Sequence, residues 1–488
     1  MKAEFEVGII GAGFGGVIAA LKLRRSGRDS FVIFEKAGEL GGTWRDNVYP
    51  GCACDVPSNL YSISFEPNPS WQRFYSAQSE ILSYLKGTVE KHRVESRIRY
   101  DSEIIEFEFI ENHGLWKLTD RNRRTTLVKM LVVAVGPFNR PKIPPFNGLE
   151  SFKGRALHSA RWDRGYDLRG KCVAVIGTGA SSIQIVPAIA PVVDQLTVFQ
   201  RTAAWVSDRM DGEVSLRTQK RFSDYPVLQQ LCRGFLYWFL EFRGLMFIGN
   251  GAIHRFFEKR SLAKLDREVK DPEIRRKLTP YYKMGCKRIL SSDDFYPTFD
   301  RPNVSLETDP IDKILPNGIL TTTGALHQFD TIIFATGFEV AEFTTDMRVY
   351  GRGGRELFGE WKESGLEAYR GTTISGYPNL TLILGPNTGL GHNSMIHMME
   401  SQANYMMQYV EFLERAGERG FLDLKPEVQA VYNRNLQANF RNTVWASGCN
   451  SWYINADGKN TALYPGLTYT FRRETRRIKP SEYEIVRQ

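Results

Sequence analysis

Two glycine-rich loops, each preceded by a run of apolar residues, constrain the fold of this chain more than any other feature. The first loop follows residues 7–10 (VGII) and consists of Gly11, Ala12, Gly13, Phe14, Gly15 and Gly16. The second follows residues 173–176 (VAVI) and consists of Gly177, Thr178, Gly179, Ala180, Ser181 and Ser182. A strand, a glycine-rich turn and a helix are the parts that hold the pyrophosphate of a dinucleotide. Two such loops predict an α/β redox enzyme that holds two dinucleotides.

The residue after the second strand of each unit distinguishes the two dinucleotides. Residues 31–34 form a predicted strand that ends at Glu35, and a carboxylate at this place accepts hydrogen bonds from a ribose 2′-hydroxyl. The first nucleotide should therefore carry no 2′-phosphate, which suits FAD. The predicted strand at residues 196–199 leads to Arg201 and Thr202 without an acid, and a guanidinium suits the 2′-phosphate of NADPH. We therefore predict two Rossmann-like domains, one for FAD and one for NADPH.

The domain boundaries are predicted from linker composition and from the return of strand-like segments. Prolines at 137, 141, 144 and 145 mark a linker, and residues 209–285 are helix-prone without strand alternation. The segment at 330–337 is expected to pair with the strand at 132–136. The predicted units are an FAD-binding domain (1–140 and 331–488), a linker (141–150), an NADPH-binding domain (151–208 and 286–330) and a helical insertion (209–285).

Two positions outside the loops are further candidates for cofactor binding. Gln184 lies in the predicted helix after the second loop. Residues 377–385 read as a buried strand that leads to Asn387 and then to a long helix beginning near Asn393. Because helix N-termini favour anionic groups, we expect Asn387 to lie near the pyrimidine edge of the flavin.

The composition is that of an ordinary globular protein, with 42% hydrophobic and 24% charged residues among 488. The formal net charge is +9, but the basic residues are dispersed apart from a cluster at 472–479, so nucleic-acid binding is not expected. Six scattered cysteines favour a reducing cytoplasm over a disulfide framework. A short N-terminus before the first strand leaves no room for a signal peptide, so a cytoplasmic location is expected.

No uncharged apolar stretch is long enough to span a membrane. The nearest candidate is the aromatic segment at 234–248, which Glu241 and Arg243 interrupt. The segment favours a buried helix; peripheral membrane contact or an entrance for an apolar substrate are the alternatives.

Two long motifs give the most specific signal. Residues 41–55 read GGTWRDNVYPGCACD, and residues 152–163 read FKGRALHSARWD. Together they resemble the two fingerprints of the type I Baeyer–Villiger monooxygenases, which are class B flavoprotein monooxygenases. The resemblance extends through residues 285–288 and 451–453, so it covers nearly the whole chain.

The resemblance implies an FAD- and NADPH-dependent monooxygenase that converts ketones to esters or lactones. In that family a C4a-peroxyflavin attacks the carbonyl group, and sulfoxidation is an expected side activity. The implied partners are O2 and a small apolar ketone, while the oligomeric state is not readable.

The resemblance also assigns roles to residues. Arg288 falls where the family places the arginine that holds the peroxide deprotonated, and arginine suits this role because it stays charged. Asp55 is the acid that would pair with Arg288, and Lys287 would join Arg201 at the 2′-phosphate. The remaining implied cofactor contacts are Trp44 and Tyr61 on the flavin side, Ile104 through its backbone at the adenine, and His158 and Trp162 near NADPH.

Four alternative functions compete with this interpretation. The related flavin-containing monooxygenases oxygenate nitrogen or sulfur, but their fingerprint has Tyr or Phe where this chain has Trp162. A non-catalytic FAD- and NADPH-binding sensor would not need the intact Lys287–Arg288 and Asp55. A disulfide reductase would use a wider spacing than that of Cys52 and Cys54. A metal site built from His158, His392 and His397 is not expected, since no acidic or cysteine partner lies at ligand spacing.

Overall fold

Each glycine-rich loop follows an interior strand of its own sheet, Phe5–Ile10 in the larger sheet and Cys172–Ile176 in the smaller one. The computed structural model describes residues 1–249, 251–340, 347–449 and 451–487. In chain order the strands are β1 (Phe5–Ile10), β2 (Phe31–Phe34), β3 (Ile98–Arg99), β4 (Ile104–Ile110), β5 (Leu115–Asp120), β6 (Thr125–Val133), β7 (Arg155–His158), β8 (Cys172–Ile176), β9 (Gln195–Phe199), β10 (Val206–Ser207), β11 (Leu290–Ser291), β12 (Val304–Glu307), β13 (Ile311–Leu315), β14 (Gly318–Thr321), β15 (Leu326–Gln328), β16 (Thr331–Phe334), β17 (Arg348–Tyr350), β18 (Leu380–Leu382), β19 (Phe421–Leu424) and β20 (Tyr483–Val486). The α-helices are α1 (Phe14–Arg25), α2 (Thr43–Asp46), α3 (Gln78–Lys91), α4 (Ser182–Ile189), α5 (Leu216–Asp224), α6 (Pro226–Gly244), α7 (Gly251–Glu268), α8 (Pro272–Leu278), α9 (Phe295–Thr298), α10 (Leu357–Ser364), α11 (Met395–Ala416), α12 (Pro426–Asn439) and α13 (Thr468–Glu474).

The larger sheet has the strand order β17-β4-β5-β6-β1-β2-β3, and β18 also pairs with β6. β1 runs parallel to β2 and to β6, while β4, β5 and β6 form an antiparallel extension. All four residues of β2 are buried, as expected for a parallel strand that is covered on both faces. α1 and α11 pack against each other on this sheet. The first loop lies at the carboxyl edge of the sheet because it directly follows the last residue of β1.

The second sheet is parallel throughout and has the order β12-β9-β8-β16-β7. The expected pairing of residues 330–337 with the strand at 132–136 is wrong, because β16 lies between β8 and β7. The boundary expected at residue 331 between the NADPH-binding and FAD-binding domains therefore falls before β16, although β16 belongs to the second sheet. Both strands are apolar and end before a glycine, so their sequences could not reveal their partners.

The segment predicted as a helical insertion contains α5, α6, α7 and α8. The expectation that the aromatic segment is buried is wrong for much of α6, since Phe235, Trp238, Phe239 and Phe242 are all at least half exposed. An apolar run predicts burial only when another element covers it, and here none of the described residues does so. No described helix is long and apolar enough to cross a membrane.

The long helix expected near Asn393 begins at Met395, two residues later. The hydroxyl of Ser394 caps it by accepting a hydrogen bond from Ile396 N at 3.2 Å. The strand before it is shorter than expected, since β18 covers only three residues of the 377–385 segment. This placement puts Asn387 in the turn between β18 and α11.

Candidate active site

The first glycine-rich loop turns tightly between β1 and α1. Gly11 has a φ of +99°, and a Cβ at this position would meet the carbonyl oxygen of Ala134 at 2.7 Å. A Cβ on Gly16 would lie 1.9 Å from the carbonyl oxygen of Gly11. Gly13 is the N-cap of α1 and supplies no side chain, so the first backbone N–H groups of the helix stay available to an anion. Only glycine fits at positions 11 and 16, because a side chain at either would collide with the backbone around the loop.

Glu35 lies beside this loop, directly after β2. Its Oε2 accepts a hydrogen bond from Ala12 N at 2.9 Å, and its Oε1 accepts one from Ala37 N at 3.0 Å. The Nη1 of Arg45 donates to the same Oε1 at 2.9 Å, a partner that the sequence did not suggest. The carboxylate is therefore held at the end of β2, where a ribose would be recognised.

The start of the first fingerprint packs against the same loop. Gly41 N donates to the carbonyl oxygen of Ala12 at 3.0 Å. The indole Nε1 of Trp44 donates to the hydroxyl of Tyr61 at 3.0 Å, and the rings of Tyr61 and Phe14 have centroids 5.5 Å apart. Trp44 and Tyr61, both expected on the flavin side, thus form one aromatic cluster with the glycine-rich loop.

The second loop repeats the geometry of the first. Gly177 has a φ of +110°, and a Cβ there would meet the carbonyl oxygen of Ala335 at 2.6 Å. Thr178 Oγ1 donates to the carbonyl oxygen of Thr202 at 3.0 Å, which ties the loop to the segment after β9. The loop continues into α4 through Gly179, Ala180, Ser181 and Ser182.

Gln184 joins the second unit to the first fingerprint. Its Oε1 accepts hydrogen bonds from the hydroxyl of Tyr49 at 3.0 Å and from Ala53 N at 3.4 Å. Its Nε2 donates to the carbonyl oxygen of Ala53 at 3.0 Å. A Cβ on Gly51 would lie 2.6 Å from the carbonyl oxygen of Gln184. The segment 41–55 therefore touches the first loop at one end and α4 at the other.

Arg201 and Lys287 form a pair of neighbouring cations in the second unit. Burial lowers the pKa of Lys287, and the charge of Arg201 lowers it further, so the two cations lie close enough to repel each other. The Nζ of Lys287 lies 5.0 Å from the ring centroid of Tyr282. Neither cation makes an ion pair within the described part of the chain. Two neighbouring cations without an acid fit a doubly charged phosphate.

Asp55 and Arg288 come together where the two units meet. Arg288 Nη2 donates to Asp55 Oδ2 at 2.5 Å. The pair is only partly buried, since 40% of the arginine side chain and 32% of the aspartate side chain are accessible. Burial favours a higher pKa for Asp55, but the charge and the hydrogen bond of Arg288 outweigh it and lower the pKa. Asp55 in turn raises the pKa of Arg288, which keeps it charged.

Two further arginines, Arg209 and Arg243, interact with the charge of Asp55, and neither lies in a sequence motif. Arg209 Nη2 donates to the carbonyl oxygen of Cys54 at 3.1 Å, and its charge lowers the pKa of Asp55. Arg243, at the end of α6, donates to the carbonyl oxygen of His392 at 3.5 Å. Burial lowers the pKa of Arg243, which is partly offset by the charge of Asp55. No spacing rule links these residues to the fingerprints.

The C-terminal part of the chain reaches the same site through Tyr453. This tyrosine is buried, and burial raises its pKa to about 12 although the nearby charge of Arg288 acts in the opposite direction. A disulfide between Cys286 and Cys449, with Cα atoms 6.3 Å apart, ties the segment before Tyr453 to the segment of Arg288. The six cysteines favoured a reducing compartment over a disulfide framework, and this disulfide departs from that expectation for two of them. Their sequence separation of 163 residues gives no indication that they meet.

Comparisons with known proteins identify the family. Residues 9–77 match a model described as an NAD(P)-binding Rossmann-like domain. A Baeyer–Villiger monooxygenase of Streptomyces coelicolor is 44% identical over 483 residues, which cover 99% of this chain and 93% of the relative. A Baeyer–Villiger monooxygenase of Pseudomonas aeruginosa is 43% identical, and the match covers 99% of this chain and 91% of the relative. This chain belongs to the Baeyer–Villiger monooxygenases.

Other relatives and solved structures agree with this family. The FAD-binding monooxygenase ktnD of Aspergillus niger is 36% identical, with 97% of this chain and 81% of the relative covered. The structure of an oxidised steroid monooxygenase bound to NADP has a TM-score of 0.88 and 29% identity. The match covers 99% of this chain and 100% of that structure. A cyclohexanone monooxygenase from Rhodococcus sp. Phi1 bound to NADP+ has a TM-score of 0.88 and 26% identity, with both chains fully covered. The two-sheet fold is therefore that of solved Baeyer–Villiger monooxygenases.

The second fingerprint of this Baeyer–Villiger monooxygenase forms β7, the edge strand of the second sheet. The Nδ1 of His158 accepts a hydrogen bond from Ala160 N at 3.0 Å. Burial lowers the pKa of His158, so the ring is neutral. Trp162 is half-buried against the main core. The structure thus places both residues in the second unit and away from the Asp55–Arg288 pair.

The remaining predicted cofactor residues lie in the first unit. Ile104 begins β4 and is buried against the core beside β1 and β2. The side-chain Nδ2 of Asn387 donates to the carbonyl oxygens of Asn460 at 2.6 Å and Leu463 at 2.9 Å. The backbone N–H of Asn387 also donates to the carbonyl oxygen of Thr461 at 3.0 Å, so both the side-chain amide and the backbone N–H hold the C-terminal segment.

The cysteines and histidines that suggested other chemistries have local partners. Cys52 and Cys54 are free thiols, and burial raises the pKa of Cys52 to about 11, which disfavours the reactive thiolate. The Nε2 of His392 lies 3.2 Å from the Oε1 of Glu241. Burial lowers the pKa of His397 to about 3. Within the described residues no group of three potential ligands could hold a metal ion.

Proposed function

We propose that this Baeyer–Villiger monooxygenase converts apolar ketones to esters or lactones with FAD in its first unit and NADPH in its second. In the overall reaction NADPH supplies two electrons, one oxygen atom of O2 enters the ketone, and the other leaves as water. The family fixes the class of reaction, and the residues described above support the roles of the individual groups. FAD, when bound and reduced, supplies the activation of O2.

The observation that carries this proposal is the position of the Asp55–Arg288 pair. Asp55 ends the segment that contacts the first loop through Gly41 and α4 through Ala53. Arg288 directly follows Lys287, which lies near Arg201. The pair therefore stands where a flavin from the first unit and a nicotinamide from the second would meet.

Arg288 is proposed to stabilise the negative charge that develops when oxygen adds to the ketone carbonyl. A guanidinium suits this role because it remains charged and offers several donors to one oxyanion. Asp55 holds the guanidinium in the cleft and compensates its charge before the substrate arrives. Because Arg288 is still 40% accessible, it can donate to a substrate without first breaking its bond to Asp55.

The cofactor sites are proposed as follows from the geometry of the two loops. In the first unit Gly11, Gly13, Gly15 and Gly16 leave room for the FAD pyrophosphate, and Glu35 recognises the ribose. In the second unit residues 177–182 take the NADPH pyrophosphate, while Arg201 and Lys287 take the 2′-phosphate. We propose the same domains as the sequence analysis, with the boundary at 331 moved beyond Phe334, since β16 belongs to the second sheet.

A panel of linear, cyclic, aryl and steroidal ketones tests the proposal. Purified holoenzyme with NADPH in air is expected to give an ester or lactone from at least one ketone, together with equivalent NADPH consumption. Normal flavin reduction without an ester from any of them would overturn the oxygen insertion. Including a thioether in the panel measures the sulfoxidation side activity, and turnover of the thioether alone would favour heteroatom oxygenation.

A further inference from the structure

Helix α6 presents an apolar face to the outside of the molecule. Leu228, Leu231, Phe235, Trp238 and Phe242 are spaced three and four residues apart, so they lie on one side of the helix. Their exposed fractions range from 45% for Leu228 to 70% for Phe235. We call these five residues the α6 apolar face. A contiguous apolar surface of this kind on a helix marks an interaction site.

The opposite side of α6 packs against the protein with both apolar and polar residues, since Leu236 and Leu240 are buried in a cluster with Leu60. The side-chain Nε2 of Gln229 donates to Asn59 Oδ1 at 2.8 Å, and Arg233 Nη1 donates to the carbonyl oxygen of Asn59 at 2.7 Å. Glu241 is buried and accepts a hydrogen bond from Asn393 Nδ2 at 2.7 Å. α6 therefore has an apolar side that the protein covers and a second apolar side that no described residue covers.

Helix α13 extends this surface with positive charge. Tyr469 donates its backbone N–H to Glu241 Oε2 at 3.1 Å, and its ring centroid lies 5.8 Å from that of Trp238. The next turns carry four exposed arginines, which we call the terminal arginine cluster: Arg472, Arg473, Arg476 and Arg477. None of the four forms an ion pair with a described residue, and Glu474 is the acid that lies among them.

Helix α5 adds basic residues on the N-terminal side of α6, against which it packs. Arg217, Lys220 and Arg221 are all exposed. Its acidic residue Asp224 is paired with Lys220 at 3.0 Å. The apolar face of α6 is thus flanked by cations from α5 and from α13.

We propose that the α6 apolar face, with the terminal arginine cluster, docks on the surface of an anionic phospholipid bilayer. Leucine and aromatic side chains enter the boundary between headgroups and acyl chains, while arginines bind the anionic headgroups. A second copy of the chain fits less well, because two such faces would bring the same cations together on a protein of net charge +9. The contact is with one leaflet, since no described helix is long and apolar enough to cross the membrane.

Vesicle flotation with the FAD-loaded enzyme tests the docking. The enzyme is expected to float with vesicles of phosphatidylcholine and phosphatidylglycerol in equal parts, and much less with phosphatidylcholine alone. The double variants Phe235→Ser/Trp238→Ser and Arg473→Glu/Arg476→Glu are each expected to lower partitioning by roughly tenfold or more. Leu326→Ser on β15 and Arg434→Glu on α12 are matched controls at exposed positions and should float like the wild type.

Two further measurements keep the outcome decisive. Bound FAD, measured by its absorbance, confirms that each variant is folded. In brominated-lipid vesicles the fluorescence of the wild type should be quenched, whereas Trp238→Phe should bind but lose part of that quenching. Failure of the wild type to float with anionic vesicles, or unchanged flotation of both double variants, overturns the proposal. A wild-type dimer that Phe235→Ser/Trp238→Ser converts to a monomer would instead make the face an interface between copies.

Discussion

Arg288 and Asp55, which are 233 positions apart in the sequence, share a 2.5 Å hydrogen bond at the meeting point of the two dinucleotide-binding units. Each residue raises the charged fraction of the other, because the pKa of Asp55 is lowered and that of Arg288 is raised. The pair thus presents a permanent cation in the cleft while its net charge is close to zero. Such a group can meet a developing oxyanion without first being reorganised.

Replacing Arg288 should separate oxygen transfer from flavin reduction. We expect Arg288→Ala to lower ester formation by at least about 100-fold, because the oxyanion loses its donor. Anaerobic stopped-flow reduction of the flavin by NADPH should change little, and Arg288→Lys should keep part of the ester formation because it retains the charge but not the planar fork. An equal loss of both steps would place Arg288 in NADPH binding instead.

The Asp55–Arg288 pair should also show in the dependence of stability on pH. The pKa of Asp55 is lowered in the folded protein, so the pair stabilises the fold above the ordinary pKa of a carboxyl group and loses this effect as the pH falls through the lowered value. We expect Asp55→Asn to cost about 1 kcal/mol at pH 7, since the partly exposed pair is screened by solvent. Urea unfolding at neutral and acidic pH measures it. A difference that stays constant down to pH 2 would contradict the ionic role.

The parts of the fold that were predicted correctly depend on neighbouring residues in the sequence. The strand, the glycine-rich turn and the helix at Gly11 and at Gly177 lie within short windows, as do the residues that follow β2 and β9. The Asp55–Arg288 contact could be expected only through the resemblance to a family, because spacing alone cannot relate residues so far apart.

The errors have a common physical origin in tertiary contacts. The partners of β16 were wrong because an apolar strand shows its burial but not its neighbour. Burial was predicted for α6 because an apolar segment normally lies in the core. The spacing of three and four residues between its exposed apolar side chains is visible in the sequence. Glu241 and Arg243, however, read as interruptions of one apolar run and not as residues on another side of the helix. Arg209 and Arg243 carry no motif, so only the structure brings them to the site.

Arg201 should determine the preference for NADPH. We expect Arg201→Glu to lower kcat/KM for NADPH by roughly 10- to 100-fold, which corresponds to the loss of charge-assisted hydrogen bonds to a phosphate. The value for NADH should change far less. Arg169→Glu, at an exposed arginine of the same unit, serves as the control. An unchanged ratio of the two cofactors in Arg201→Glu would refute the role in 2′-phosphate binding.

The Cys286–Cys449 disulfide should stabilise the segment that carries Arg288. Denatured protein should expose four thiols to a thiol reagent before reduction and six after it, since Cys52, Cys54, Cys172 and Cys232 are free. Cys449→Ser is expected to lower the free energy of unfolding by about 2–4 kcal/mol, while Cys172→Ser has little effect. Six reactive thiols in the untreated protein would contradict the bond.

The two glycine-rich loops offer a matched test of which cofactor each one binds. Gly11 and Gly177 both have positive φ, and a Cβ at either position would meet a carbonyl oxygen within 2.7 Å. Gly170 also has a positive φ, of +67°, but has open space where its Cβ would lie. Alanine at each position adds about 1–2 kcal/mol of backbone strain. Gly170→Ala therefore introduces backbone strain without a collision of the new Cβ with a neighbouring atom, and it serves as the control for strain alone.

Crowding at the first loop should displace FAD, and crowding at the second should displace NADPH. We expect Gly11→Ala to be purified with little flavin, as judged by the ratio of absorbance at flavin and protein wavelengths. Gly177→Ala should retain its FAD but show a KM for NADPH raised by at least about tenfold, because the clash moves the backbone N–H groups that bind the pyrophosphate. Gly170→Ala should keep both properties. Loss of FAD from Gly177→Ala with normal occupancy in Gly11→Ala would reverse the assignment, because each alanine fills space in only one of the two loops.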